Sequence, residues 1–595
     1  MRATTAVIAV MKERLEQPPI PDASALTAAT DAEVASLLRA GALERQRARY
    51  AEAEQLLRRA INMKHDCGEA HYNLGLMYLE QGELEDAVDS FHLATHFSPQ
   101  LGAAQLDLAG ALSQMSRFDE AEAACLRGIE LVPESASAWL RLGNIKKSRG
   151  HLEEAIACFT TAVQHDPTHA DAYCQLAFLL YKVGRYDESR ALHDAALVLK
   201  PDFVEARHNL GLLLLETGYP QDALESFLQA LQLRPGTLET MACIAHALRD
   251  LGRLPEALAR YDAVLAAAPE FGDAVINRCY TMLMLGRLGE GWDEYERRFA
   301  AVQVAERAFP FRRWQGEPLA GKRLLVYAEQ GLGDEIMFAS CLPDAAAAGA
   351  DLVIETSSRL RTLFARSFPE ALVHGGSKED GAGWLARLPK VDYQIAVGSL
   401  PAHFRRSADA FPQHSGYLLP DPKRVTAWRQ RLASLGDGLK VGVAWRAGTL
   451  RTRQKLRSLP LEHWQPVLEQ PGCHFVSLQY GNSASELASC ADQQGATVHD
   501  FGTELEDIDE TAAAIGALDL VISVDNTVVH LAGALGRPVW VLLEHACEFR
   551  YLRQGTSMPW YPSARLFRQA VPRDWATPVR EAACALAERS SVRRG

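Results

Sequence analysis

Residues 319–345 read LAGKRLLVYAEQGLGDEIMFASCLPDA, and this stretch decides the fold of the carboxyl-terminal half of the chain. Arg323 to Ala328 make an apolar run of strand length, Gly331 and Gly333 a turn, and a helix is expected from Asp334. A strand that passes through glycines into a helix is where α/β proteins bind ligands, because the backbone can be approached closely and the helix start offers N–H groups. Further strands are expected near 351–356, 371–374 and 393–397, then near 439–445, 474–479, 497–501, 519–524 and 538–543, with helices between. That alternation signals parallel sheets. Residues 401–436, which carry several prolines, read as a crossing between two α/β halves. A helix at 575–590 closes the chain and is expected to pack back on the first half.

Upstream the period is longer. Prolines stand at 99, 133, 167, 201, 235 and 269, each 34 residues after the last. Glycines at 82, 150, 184, 218, 252 and 286 keep the same grid, with Ser116 filling the one gap. A small residue recurs at Ala87, Ala121, Ala155, Ser189, Ala223 and Ala257. An aromatic follows four later at Phe91, Phe159, Phe227 and Tyr261, with Cys125 and His193 as exceptions. A unit of this length and order matches the tetratricopeptide repeat, two helices per unit. The glycine ends the first helix, the small residue lets the second pack closely, and the proline stops it. An α-solenoid is therefore expected, with the first helix of each unit lining one face. One register on those helices reads Asn73, Asp107, Arg141, Gln175, Asn209 and Asn277, with Cys243 the apolar exception. It is expected to form a groove for an acceptor protein, the alternative being a solvated helix face.

The expected organisation is a leader at 1–30, the solenoid at 31–300, a linker at 301–318 packed through Phe309, Phe311 and Trp314, a Rossmann-like half at 319–435 and a second at 436–595. The chain has 595 residues and a formal net charge of −13, which argues against nucleic acid as a main partner. Its 11 cysteines form no Cys-x-x-Cys pair and read as reduced core residues of a cytoplasmic protein. The leader is charged too soon for a secretory signal, and no stretch approaches the ~18–20 apolar residues of a membrane helix, so no membrane insertion is expected.

Three clusters carry the candidate chemistry. In the first, Gln330, Gly331 and Gly333 form a loop that leads into Asp334. The third glycine of a dinucleotide fingerprint is replaced by Ile336, although Glu355 at the end of the next strand resembles its ribose ligand. Asp334 is expected to stay ionised under the helix dipole and to take a proton from a hydroxyl, or else only to cap its helix. The second, ISVDNTVVHLAGALGRPVW at 522–540, puts Asp525, Asn526 and Thr527 on a turn and His530 on the helix face of Thr527. These suit a phosphate or a sugar, or are capping residues beside a core histidine. The third, VAWRAGTLRTRQKLRSLP at 443–460, crowds Arg446, Arg451, Arg453, Lys455 and Arg457 into one loop, next to Ser458. In an acidic protein such a cluster is costly unless an anion fills it, or unless the loop is simply solvated. No His/Cys/Asp set has metal-ligand spacing, and neither a metal nor a cofactor is expected.

These clusters, together with PWYPSARLFRQ at 559–569, resemble bacterial tetratricopeptide proteins that end in a heptosyltransferase-like glycosyltransferase. The resemblance covers nearly the whole chain after residue 31 and implies a GT-B fold, with the acceptor at the first Rossmann-like half and a sugar nucleotide at the second. It implies Asp334 as the base. It implies Asp525, Thr527 and His530 as donor contacts with Asn526 between them. It implies Lys455 and Arg457 as holders of the donor phosphate; Arg446 and Ser458 of the same loop are expected to bind the donor with them. The domain order also resembles protein O-GlcNAc transferases and the alphaproteobacterial flagellin glycosyltransferases. The latter imply transfer of a pseudaminic-acid-type nonulosonic acid from a CMP-linked donor to flagellin. Transfer to Ser or Thr with inversion is expected, and without a metal, because fixed cations and helix N–H groups can offset the charge on the departing phosphate. A glycosyltransferase acting on a glycan or lipid, and a non-catalytic nucleotide-binding scaffold, are the alternatives.

Overall fold

The computed structural model describes residues 27–301, 307, 309–376, 382–448, 453–494 and 497–592. The leader, save its last residues, and Arg451 of the basic loop lie outside them. The chain divides into two compact units, Met1–Pro201 and Asp202–Gly595.

The first unit is a stack of five helical hairpins, from Thr27–Gln46 with Tyr50–Met63 to Ala170–Lys182 with Tyr186–Leu199. Each mark of the 34-residue period has a physical task. Gly82, Gly150 and Gly184 take φ of 80°, 80° and 81°, the left-handed turn that ends a first helix, and Ser116 adopts the same turn at 59°. Ala87, Ala121, Ala155 and Ser189 are wholly buried where two helices meet. The Ser189 hydroxyl donates to the Ala177 carbonyl at 2.7 Å, so its polar atom is satisfied there. Phe91 lies so close to Gly75 that a β-carbon there would meet its ring at 2.6 Å.

The second unit opens with three more hairpins, Val204–Glu216 with Pro220–Leu233, Leu238–Asp250 with Leu254–Ala267, and Gly272–Met284 with Leu288–Tyr295. After them come two wholly parallel sheets. The first holds β1 (Arg312–Arg313), β2 (Lys322–Tyr327), β3 (Ala350–Ser357), β4 (Leu372–Gly376) and β5 (Tyr393–Ala396), in the order β1-β5-β2-β3-β4. The second holds β6 (Leu439–Ala444), β7 (Cys473–Ser477), β8 (Val498–His499), β9 (Leu520–Val524), β10 (Val539–Leu543) and β11 (Ala564–Arg568), in the order β11-β10-β9-β6-β7-β8. Leu324 to Tyr327 and all of β9 and β10 are buried, as strands covered on both faces must be. Strand order reverses beside β2 and between β6 and β9, which places open crevices at the carboxyl ends of those strands.

Three expectations change. The stretch 301–318 contains β1, which pairs with β5, and Trp314 stacks on His403 with centroids 4.2 Å apart. Within 401–436, Pro422–Ala433 is a full helix that packs on Ile508–Ala517 through Val425, Trp428 and Leu432. The closing helix, Ala576–Val592, lies on the second half rather than the first, because Val579, Ala582, Ala583 and Leu586 form one apolar stripe against the core of the second sheet.

The last hairpins share their core with the sheets. Trp292 stands edge-on to Phe338, Phe549 and Trp560, and its indole N–H donates to the Arg405 carbonyl at 2.9 Å. The buried Arg298 guanidinium donates to both oxygens of Glu329 and to Ser399, beside the carboxyl end of β2.

Candidate functional site

Two short helices meet where the sheets face each other. Leu332–Phe338 leaves the end of β2, and Thr527–Ala534 leaves the end of β9. Gly333 permits the contact, since a β-carbon there would lie 2.9 Å from Cδ2 of His530. Tyr417 ties the pair together: its hydroxyl donates to the Ile336 carbonyl at 2.6 Å and its N–H to the Ala534 carbonyl at 2.8 Å.

Arg550 is the hub of this contact. It sits on the 3-10 turn Phe549–Tyr551, donates to Asp334 Oδ1 at 3.0 Å, and stands 3.3 Å from His530 Nε2. A guanidinium has only donors, so His530 accepts at Nε2 and carries its proton on Nδ1, which faces the Tyr561 hydroxyl at 3.1 Å. Burial, with Arg550 adding, pushes the His530 pKa down to about 3, so the ring is neutral.

Asp334 keeps 24% of its side chain exposed. Its surroundings differ from those of a solvent-exposed capping carboxylate. Burial pushes its pKa up, Arg550 opposes this, and the carboxylates of Glu548 and Asp525 add to it. A carboxylate raised in this way holds a proton more readily than a surface aspartate, as a base for a hydroxyl should.

Asp525 is fully buried. It accepts from the Tyr551 hydroxyl and pairs with Arg457 at 2.8 Å. Burial alone would push its pKa up, but Arg457, Arg550 and the Tyr551 hydroxyl hold it below the usual range. Asn526 caps the helix, its Oδ1 accepting from Val528 N–H at 3.0 Å while Nδ2 donates to the Arg446 carbonyl at 3.1 Å.

The basic loop differs from its expected role. Arg453, at φ 56°, pairs with Asp250 of the hairpin helix Leu238–Asp250 at 2.7 Å and donates to the Leu215 carbonyl at 2.8 Å. Arg457 is taken up by Asp525, and Arg446 donates to the Asn482 carbonyl at 3.0 Å, with Glu486 at 3.5 Å. Much of the cluster is thus balanced by protein acceptors rather than left waiting for an anion. Lys455 is exposed on the short helix Gln454–Arg457, and Ser458 pins the loop by accepting from Ala447 N–H at 3.0 Å.

A cavity of about 310 Å³ opens beside these helix starts. Leu332, Leu478 and Leu531 give it apolar lining, and Arg446, Asn526 and Thr527 its polar part. Of the loop residues, Gly331 caps the helix and Gln330 donates to the Tyr295 hydroxyl. Glu355 is bound by Arg307, which ends its likeness to a ribose ligand. Among the described residues, no group of three His, Cys, Asp or Glu side chains is placed to hold a metal.

The groove register divides between the units. In the first, Asp107 accepts from Tyr72 at 2.8 Å and pairs with Arg141 at 3.3 Å, Gln175 accepts from Lys147 at 2.7 Å, and Asn73 donates to Glu69 of its own helix. In the second, Asn209 lies half-buried on Val204–Glu216 and Asn277 accepts from Arg249. Arg550, Tyr551 and Tyr561 escaped the sequence reading. PWYPSARLFRQ contains Tyr561 but gives it no partner, and nothing in the local pattern marks Arg550.

Hairpins and sheets together define a tetratricopeptide-repeat protein whose last repeats run into a two-sheet parallel α/β body. Residues 2–248 match the family described as cilia and flagella-associated protein 70 C-terminal domain, and residues 244–309 match the tetratricopeptide repeat. Protein FlbA of Caulobacter vibrioides is 39% identical over 287 residues, which cover 46% of this chain and 48% of that protein. The match therefore spans about half the length of that curated relative. Among solved structures, Pseudomonas aeruginosa pilF is 20% identical, over 36% of this chain and 96% of its own, with a TM-score of 0.33. YrrB, described as a TPR protein with an unusual peptide-binding site, is 18% identical over 31% and 95%, with a TM-score of 0.27. Among the described residues, no helix is long and apolar enough to cross a membrane.

Proposed function

We propose that this chain is a protein O-glycosyltransferase of GT-B arrangement, which moves a sugar from a nucleotide donor to a Ser or Thr hydroxyl. The acceptor is a protein held by the repeats. Flagellin and a CMP-linked nonulosonic acid of the pseudaminic type are the pair we favour. A flagellar setting draws support from the match to a family described as cilia and flagella-associated.

The observation that carries this reading is the position of Asp334. It stands where the helices from the two sheets touch, two residues after Leu332 of the 310 Å³ cavity, with its pKa raised by burial. In the proposed reaction Asp334 takes the acceptor proton while the hydroxyl oxygen attacks the anomeric carbon. The bond to the donor phosphate breaks with its electron pair on phosphate, and configuration inverts. Lys455 offsets the charge that develops there, and Arg446 and Arg457 join it by exchanging Asn482 and Asp525 for the phosphate.

In Asp334→Asn we expect no transfer with acceptor binding retained. Normal turnover by that variant would sink the base assignment. Intact-mass spectrometry of flagellin with and without this gene tests substrate and reaction together, a lost sugar-sized increment being the expected result. One rival draws on a specific observation: Asp334 and Asp525 are already paired with arginines, as in a nucleotide-binding scaffold without turnover. Donor hydrolysis by the purified chain would exclude that rival.

A further inference from the structure

A second cavity, of about 140 Å³, is lined in part by Arg457, the partner of Asp525. Arg249, Asp250 and Asn277 come to it from the hairpin helices Leu238–Asp250 and Gly272–Met284. Arg457, Glu544 and Glu548 come to it from the second half. Glu544 stands just past the end of β10, is 6% exposed, and has no hydrogen-bond partner for Oε2. A buried carboxyl oxygen without a partner is costly, and a fold that keeps one keeps it for a ligand or for a reason of mechanism.

We propose that this cavity is the subsite for the glycosyl group of the donor, with Glu544 and Asn277 as its recognition residues. The proposal rests on the nucleotide-sugar reading and deepens it. Three observations converge. The room is that of one bare six-membered ring, since an apolar cavity of about 150 Å³ takes up benzene, so the ring of the sugar enters and its exocyclic groups stay outside. Donors (Arg249, Arg457) and acceptors (Asp250, Glu544, Glu548) both line it, which suits a ligand with several hydroxyls. The short helix Gln454–Arg457 stands between the two cavities, with Gln454 lining the 310 Å³ one and Leu456 and Arg457 this one, so a ligand reaching from one to the other would pass its phosphate along that helix. Burial, and Asp525 beside it, push the Glu544 pKa up to about 8, so near neutrality its carboxyl carries a proton to donate.

The test is equilibrium binding by the full chain of CMP, UDP and GDP, each alone and as CMP-pseudaminic acid, UDP-N-acetylglucosamine and GDP-mannose. One sugar nucleotide should bind wild-type protein more tightly than its bare nucleotide. In Glu544→Ala and Asn277→Ala that difference should shrink about tenfold, the scale of one lost hydrogen bond, with the bare nucleotide unaffected. Glu544→Gln, which still donates, should keep most of it. Glu544→Ala should also melt higher than wild type, because it removes an unsatisfied buried acid. Equal weakening of nucleotide and sugar nucleotide, or an unchanged difference in both alanine variants, overturns the subsite. If wild type binds none of the six ligands, the nucleotide-sugar reading itself falls, and the subsite with it.

Discussion

At the scale of the residue, the site is a set of charges that hold one another in place. Arg550 lowers the Asp334 pKa against the rise caused by burial. Removing its charge in Arg550→Met should raise Asp334 further, so the acidic limb of the pH–rate profile should move to higher pH. An unmoved limb would mean that another group governs it. Glu544 gives a second dependence. Its folded pKa, about 8, lies above the ordinary 4.5, so the folded state binds the extra proton. That raised pKa lowers stability as pH climbs from about 4.5 to about 8, and the penalty is fully present above the folded value. The gain in melting temperature from Glu544→Gln should therefore be larger at pH 8.5 than at pH 5. Equal gains at both would remove the linkage. Asp334, Asp525 and His530 were legible because their motifs sit on strand ends. Their partner Arg550, 216 residues from Asp334, was not, since a contact of that span leaves no local pattern. The charge balance of the basic loop was hidden in the same way, because Arg453 finds Asp250 only after folding.

At the scale of the element, Gly333 and its neighbour helix make a sharp test. A methyl in Gly333→Ala meets a buried imidazole fixed by Arg550 and Tyr561, so the helices must part. Overpacking of this kind costs about 1–3 kcal/mol, and activity should fall with it. Wild-type stability and turnover would show that the two helices are not in firm contact. The hairpins were readable because glycine, small residue and proline each recur every 34 residues and each has one geometric consequence. Strands β1 and β11 were not. The first is the two residues Arg312–Arg313, and the second, ARLFR, is broken by arginines. Arg565 turns to the Trp540 ring, with 5.6 Å to its centroid, and so masks the apolar run.

At the scale of the molecule, the compact unit that holds both sheets begins at residue 202. A chain truncated to 202–595 should fold with a single cooperative transition. One truncated to 319–595 loses Trp292 and Arg298, and leaves Glu329 buried without its cation, a loss of about 3–5 kcal/mol. That shorter fragment should aggregate or melt far lower. Equal melting of the two would show that the last hairpins contribute nothing to the α/β body.

The bond between Arg453 and Asp250 also limits how such a chain can change over generations. Tandem units are ordinarily copied or dropped with little harm, each touching only its neighbours. Among residues 238–295 that freedom is gone, because a lost unit would carry away Asp250, Asn277 or Trp292 and their contacts with the α/β body. Growth and shortening of the repeat array are therefore confined to the amino-terminal side, where length can vary while the chemistry stays fixed.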